Sequence, residues 1–499
     1  MNASDYQRLA DTCDRLLRAS GTCHARLAIG FLHLIHEHPS WLAQYQRVFD
    51  PAATPRRDRN PTRAARDLYR VARGLYQAVK SNAGLVQPTA GSGLDVLIVS
   101  RVSTDEQLAQ AGDFYFGAMP ELLRARGASV LVALVDHRNG APETGAASLP
   151  SDRLLLQRSL PPSGELELWN QCATARASLA GEARAARDPF DRRVAQVAAE
   201  QALSASTAAN LRLHARVREI CAKFRPRIVM TTFEGDASER MIFLAARQSG
   251  VAPLCVGYQH TRILPRSHAI RRDIEATALR CDPDVVLTLG AETEAMLESA
   301  SLGNTRFITY GSHRRTVENA PRAPDPRGPL CLVLPDAESS EHAWLFECAV
   351  NCARRSPGIT FIFRPHPIAS ATMQRLRSQA PADLPANFRV DASQSLQLQA
   401  AEARCCLYRA SSAAIHAVLA GARPLYASRP QELSCDPLAA MPLGGAIVSS
   451  PEDVEARMQE AGWTGSDAAQ AAWNYCNRYV EPVRPSALDE LLLMGRTMS

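Results

Sequence analysis

The chain has 499 residues, 46% hydrophobic and 21% charged, with 27 glycines and 32 prolines. That is globular composition, long enough for several domains of ~100–200 residues, and it excludes collagen-like, low-complexity and wholly disordered classes. The 56 basic and 51 acidic side chains leave a net charge of only +5. No basic run is interleaved with aromatic residues, so nucleic-acid binding finds no support.

Lysine stands only at Lys80 and Lys223, so nearly every cation is arginine. With the high alanine content, a GC-rich genome explains this better than a nucleic-acid surface does. The 13 cysteines are irregularly spaced, with Cys348 and Cys352 four apart, Cys405 and Cys406 adjacent, and no C-x-x-C pair. Most lie in apolar runs, as buried free thiols in a reducing cytoplasm do. The N-terminus carries early acids and no apolar core of a signal peptide. No run approaches the ~18 apolar residues of a membrane span, so any membrane association is expected to be peripheral, at the inner membrane.

Residues 1–85 read as a helical extension. Apolar residues recur at helical spacing through Leu16, Leu17, Leu27, Ile29, Leu32 and Ile35, then Leu68, Val71 and Leu75. Residues 50–63 read as a polar, proline-bearing loop and 81–93 as a linker. From residue 94 the pattern changes to alternating strands and helices. Strands are expected at 94–100, 129–135, 228–233, 253–257, 284–289 and 307–310, with alanine- and arginine-rich helix between 165 and 222. The Pro-rich segment 318–329 reads as a second linker. The alternation then restarts, with strands at 330–334, 360–363, 388–390, 405–408 and 424–426. Helices are expected around 340–354, 370–379, 395–403 and 412–420, and terminal helices over 466–495. The expected fold class is α/β: two Rossmann-like domains, 94–317 and 328–499, facing a cleft behind the helical extension. Continuous apolar strand runs mark parallel sheets covered on both faces, and such sheets bind ligands at the carboxyl ends of their strands. The first strand is followed by no G-x-G-x-x-G, and the chain holds no G-x-x-x-x-G-K-[ST], which disfavours dinucleotide oxidoreductases and P-loop nucleotidases.

Four motifs follow strands. In Phe363-Arg364-Pro365-His366-Pro367, two prolines stiffen the loop and present a cation and an imidazole suited to phosphate. In Tyr408-Arg409-Ala410-Ser411-Ser412, either serine can cap the helix that follows, and two hydroxyls exceed what one cap needs. In Phe233-Glu234-Gly235-Asp236-Ala237-Ser238-Glu239, Asp236 and Glu239 have capping-box spacing. Glu234 has no such duty and is the preferred cleft carboxylate, with Asp236 second. In Val256-Gly257-Tyr258-Gln259-His260, the next parallel strand brings His260 to the same rim as Glu234, a pairing suited to proton transfer. Asp113 with Tyr115, Glu292, and Asp336 with Glu338 are weaker candidates, since acids also cap helices. His24, His33, His36 and His38 cluster without an ordered set of acids and are not expected to hold a metal.

Together these residues resemble the GT-B glycosyltransferases of bacterial capsule and lipopolysaccharide synthesis, above all those using CMP-linked Kdo or sialic acid. The resemblance covers roughly residues 94–480. It implies that His366-Pro367 and Ser411-Ser412, with Arg364 nearby, bind the donor nucleotide. It also implies that the acidic-Gly motif supplies a catalytic carboxylate, Glu234 or Asp236, beside His260. Phe233 stands where the family's first acid would be. The implied partners are a nucleotide sugar and a glycan or glycolipid acceptor, with no metal and no cofactor. A UDP-sugar transferase, a 2-epimerase-like enzyme, a polyol-phosphate transferase and a non-catalytic scaffold share the same pattern.

Overall fold

The computed structural model describes residues 3–19, 24–34, 45, 47–49, 93–138, 149–271, 280–299, 304–315, 328–367, 369, 373, 384–429 and 432–497, without 111, 157, 443, 444, 461 and 464. The loop read at 50–63, the repeat at Leu68, Val71 and Leu75, both linkers up to 92 and 327, Ile35, His36, His38 and, Met373 aside, the helix read at 370–379 lie outside the described residues.

Strands of the described residues form two sheets, each parallel throughout. The first contains β1 (Val96–Val102), β2 (Val130–Asp136), β3 (Arg153–Leu156), β4 (Ile228–Thr232), β5 (Leu254–Tyr258), β6 (Val285–Thr288) and β7 (Arg306–Thr309), in the order β3-β2-β1-β4-β5-β6-β7. The second contains β8 (Leu330–Leu334), β9 (Thr360–Phe363), β10 (Phe388–Val390), β11 (Cys405–Tyr408), β12 (Arg423–Ala427) and β13 (Ala446–Val448), in the order β10-β9-β8-β11-β12-β13. Both orders reverse beside the first strand of the sheet, which opens a crevice between β1 and β4 and another between β8 and β11. The fold is α/β, two Rossmann-like units.

Apolar runs produce these strands because both faces are covered. Val96 and Ile98 enter one core while Leu97 and Val99 enter another on the opposite face. The first of these cores continues through Tyr475, Tyr479, Leu488 and Leu491 to Leu332, Leu334 and Tyr408 of the second sheet. The C-terminal helices thus join the two units. Helix Ser486–Thr497 lies on the first sheet, where a Cβ on Gly495 would stand 2.7 Å from Ile228. Arg126 binds Asp489 at 2.7 Å, and the Arg484 amide donates to the Tyr310 carbonyl at 2.7 Å.

The stretch read as one helical region is three helices, Pro162–Ala185, Pro189–Gln201 and Ala205–Phe224, broken where Asp188 and Ser204 cap new starts. Helix Ala3–Arg18 and the turns at 24–33 share a core with them through Leu9, Leu16, Phe31, Leu168 and Val194. Of the described cysteines all are free, ten buried and two partly buried. No helix of the described residues is long and apolar enough to cross a membrane.

Candidate active site

Thr232 of β4 pairs with Tyr258 of β5, so two residues further on Glu234 and His260 stand level. Glu234 Oε1 lies 3.6 Å from His260 Nε2, beyond a hydrogen bond but in close electrostatic contact. The carboxylate is 43% exposed and the imidazole 8%. Tyr115 meets His260 edge-on at 5.1 Å. Its loop is fixed by Asp113, whose Oδ1 accepts the amides of Tyr115 and Phe116 at 2.8 and 2.9 Å. Burial, then the charges of Arg314 and Arg101, push His260 down to about 3. The imidazole is therefore neutral at pH 7.

The turn after Glu234 depends on Gly235, at φ +83, where a Cβ would sit 2.3 Å from the Ala269 carbonyl. Asp236 then caps helix Ala237–Arg247 in a full capping box with Glu239. Glu239 does more than its spacing promised. It is fully buried, and its Oε2 accepts the amides of Glu234, Gly235 and Asp236 at 2.8, 2.8 and 3.0 Å. Its Oε1 accepts the Thr232 hydroxyl at 3.0 Å. Burial and the neighbouring Asp236 raise its pKa, against the pull of Arg101 and the backbone amides. Arg101, from β1, donates to Asp236 Oδ2 and to the Ser238 hydroxyl, each at 2.9 Å. Burial alone would raise Asp236, but Arg101 and Ser238 overcome it and hold the carboxyl at about 2. Two of the three acids are thus committed to the loop, and Glu234 faces solvent.

The loop is braced from behind. Arg240 donates to the carbonyls of Gly235 and Ala269 and reaches His33 Nδ1 at 3.4 Å, while His33 Nε2 donates to the Leu27 carbonyl at 2.8 Å. His33 is therefore a buried strut. His24 stacks on His214 instead, at 5.0 Å.

On the second unit, Val333 of β8 pairs with Phe363 of β9, which sets Asp336 level with His366. Asp336 Oδ2 binds Arg262, from the loop after β5, at 3.0 Å, so the carboxyl ends of the two sheets face each other. Burial lowers the His366 pKa; Asp336 opposes this, and His342, Arg262 and Arg314 add to it. Pro367 is exposed. Arg364 donates to the Gln394 carbonyl at 2.8 Å and to Gln399 Oε1 at 2.7 Å, which anchors the loop to its own unit. Ser411 is buried, and among the described residues its Oγ accepts a long 3.4 Å bond from the Ala413 amide. Ser412 is helical, at φ −63, and its hydroxyl caps nothing. The expected serine cap is therefore weak, and the Ser412 hydroxyl has no structural duty at the helix start.

Three cations here carried no sequence signal: Arg101, Arg262 and Arg314. The last stands just after β7, 5.2 Å over the Phe114 ring. Among the weaker candidates, Glu292 is taken by Arg478 at 2.8 Å and Glu338 caps helix Ser339–Arg355.

No family model and no curated protein matches the chain. Solved structures similar to it include a calicheamicin glycosyltransferase, at 12% identity over 80% of this chain and 97% of the other, with a TM-score of 0.45. A trehalose 6-phosphate synthase from Burkholderia multivorans shares 13% identity over 81% and 97%, with a TM-score of 0.43. A UDP-GlcNAc 2-epimerase from Neisseria meningitidis shares 11% over 80% and 100%, with a TM-score of 0.42. Likeness at this level bears on no residue and no activity of this chain.

Proposed function

We propose that the protein is a GT-B glycosyltransferase that moves a sugar from a nucleotide donor to a glycan or glycolipid acceptor, with Glu234 as general base. The observation that carries this reading is Glu234 itself. It is an exposed carboxylate beside a neutral imidazole at the carboxyl end of one sheet, opposite the His366 loop of the other. A base must reach substrate. Asp236 is only 20% exposed and bound to Arg101, and Glu239 is fully buried beneath three backbone amides.

In the reaction, the acceptor hydroxyl gives its proton to Glu234 and its oxygen bonds to the anomeric carbon. The bond to the donor phosphate breaks and the electron pair leaves with the nucleotide. His260, neutral and meeting Tyr115 edge-on, stands beside Glu234 without adding a charge of its own. His366 and the hydroxyls of Ser411 and Ser412 hold the phosphate as its charge grows. Pro367 stiffens the loop and Arg364 positions it through Gln394 and Gln399. The motif resemblance favours a CMP-linked acidic ulosonic sugar, of Kdo or sialic acid type, and a surface-polysaccharide acceptor.

A thermal-shift panel of CMP, CTP, UDP and GDP tests the reading. A ligand at a hundredfold its Kd stabilises by about 2.7 kcal/mol, so binding is visible as a higher melting temperature. CMP and CTP should raise it, and His366→Ala should weaken CMP at least tenfold without unfolding the protein. A shift by UDP alone replaces the donor; no shift by any nucleotide removes the transferase reading.

A further inference from the structure

We propose that the N-terminal extension, through residues 3–19 and 24–34, is a working part of the active site, with His33 and Tyr6 as positioning residues for the turn that carries Glu234; this rests on Glu234 being the base. The extension reaches that turn by two routes, and both end on one contact. The contact lies between Gly235 and Ala269, where a Cβ on Gly235 would stand 2.3 Å from the Ala269 carbonyl. Glu234 is the neighbouring residue, so a shift at this contact passes directly to the backbone that aims the carboxylate.

The first route runs through Arg240. Its side chain is 1% exposed, and a guanidinium so deeply buried needs acceptors around it. It donates to the carbonyls of Gly235 and Ala269, its Nε stands 3.2 Å from Asp282 Oδ1, and it reaches His33 Nδ1 at 3.4 Å. Of these four partners only His33 comes from outside residues 94–317. His33 is itself fully buried, with Nε2 facing the Leu27 carbonyl at 2.8 Å. A carbonyl can only accept, so Nε2 carries the proton and Nδ1 offers its lone pair to the guanidinium. Met241 and Leu244, on the same helix as Arg240, share a core with Leu9, Leu16 and Phe31 of the extension.

The second route runs through the loop after β5. The Tyr6 hydroxyl donates to the Arg266 carbonyl and accepts the His268 amide at 3.2 Å. Asp14 lies 3.0 Å from His268 Nε2, and Ala269 follows directly. Other partners hold the near end of this loop. Arg262 pairs with Asp336 of the second unit, and the Ile263 amide donates to the Tyr479 hydroxyl at 2.6 Å. The extension and the second unit therefore grip one loop from opposite ends, with His260 at its start and Ala269 where it meets the Glu234 turn. A misplacement of about 1 Å at a reacting group can cost a hundredfold in rate. Bracing of this kind acts on the chemical step and leaves nucleotide binding, on the other unit, untouched.

The test compares full-length wild type with His33→Leu, His33→Gln, Tyr6→Phe and Arg8→Ala, each checked for native circular dichroism. Turnover is read as nucleotide released from CMP-linked sialic acid or a UDP-linked hexose, and binding as calorimetric affinity for CMP and UDP. The turn itself is read by hydrogen exchange over residues 234–239 in the unliganded protein, where the amides of Glu234, Gly235 and Asp236 rest on Glu239. His33→Leu and Tyr6→Phe should each slow turnover at least tenfold at unchanged nucleotide affinity. Both should speed exchange in the turn while β4 and β5 keep their protection. His33→Gln keeps an acceptor for Arg240 and should recover part of the loss. Arg8→Ala removes an exposed guanidinium that pairs with Asp188 and lies on neither route, so it should turn over as wild type does. Wild-type turnover and exchange in both His33→Leu and Tyr6→Phe, even with a lower melting temperature, overturn the proposal and make the extension a passive cover. Faster exchange in the two variants, in a protein whose wild type releases no nucleotide, keeps the brace and removes the transferase reading.

Discussion

Arg262 and Asp336 meet at 3.0 Å across the cleft, one from the loop after β5 and the other from the loop after β8. They are 74 residues apart in sequence, and their side chains are only 17% and 15% exposed. This pair sets the His366 loop opposite His260. Shielded from water, it resists salt better than a surface pair. Removing one partner strands the other's charge, so Arg262→Gln and Asp336→Asn should each lower the melting temperature. The double variant should lose less than the sum, with a coupling of ~1–3 kcal/mol. Additive losses would show that the pair does not join the units.

Acid should unfold the protein in two stages. His260 falls to about 3 and His416, His313 and His214 to about 4, from an unfolded value of 6.5. The unfolded chain therefore binds more protons between those values, and stability falls as pH drops below 6.5. Asp236, held at about 2 against 3.8 unfolded, contributes stability that is complete above 3.8 and is lost below it. Melting temperature should be flat with respect to these groups above pH ~7 and decline from 6.5 to 4. His260→Gln should make that decline shallower, since each tenfold change in proton affinity is worth about 1.4 kcal/mol. A melting temperature constant down to pH 4 would contradict the buried neutral imidazoles.

Gly235→Ala tests the turn that separates Glu234 from the capping acids. The positive φ and the Ala269 carbonyl at 2.3 Å leave no room for a methyl group. Relief requires moving the segment that Arg240 also grips. The cost should be ~1–3 kcal/mol or more, read as a lower melting temperature and lost activity. A variant as stable as wild type would mean that the 269 segment yields freely.

Much of this architecture was legible because β8, β9 and β11 are unbroken apolar runs between turns. β3 and β13 were missed: Arg153–Leu156 and Ala446–Val448 are short edge strands, too brief to show a period. The apolar face of Ser486–Thr497 announces a packed helix but not which sheet receives it. At the site, parallel pairing made the Glu234–His260 meeting readable from strand ends alone. The spacing of Asp236 and Glu239 gave the cap, but not the three amides on Glu239. Those converge only because Gly235 turns the chain back. Asp336 stood out by its place after β8, but nothing local pairs it with Arg262, 74 residues away.

The last prediction separates the three acids of one loop. Glu234 is exposed and stands level with a neutral imidazole. Asp236 is ionised, tied to Arg101 and capping a helix, so protonating it would cost that ion pair. Glu239 is sealed away from solvent and cannot meet an acceptor hydroxyl. Glu234→Gln keeps the shape and removes the base, so sugar transfer should slow by ~10²–10⁴ while nucleotide affinity stays the same. Asp236→Asn should instead lower the melting temperature through the lost ion pair and weakened cap. Glu239→Gln should do so more strongly, because an amide offers one acceptor oxygen where the carboxylate's two receive four donors. Single-turnover transfer rates, calorimetric nucleotide affinities and melts on all three variants decide it. If Asp236→Asn is stable but inactive and Glu234→Gln transfers at the wild-type rate, then Asp236 is the base and Arg101 must release it when substrate binds.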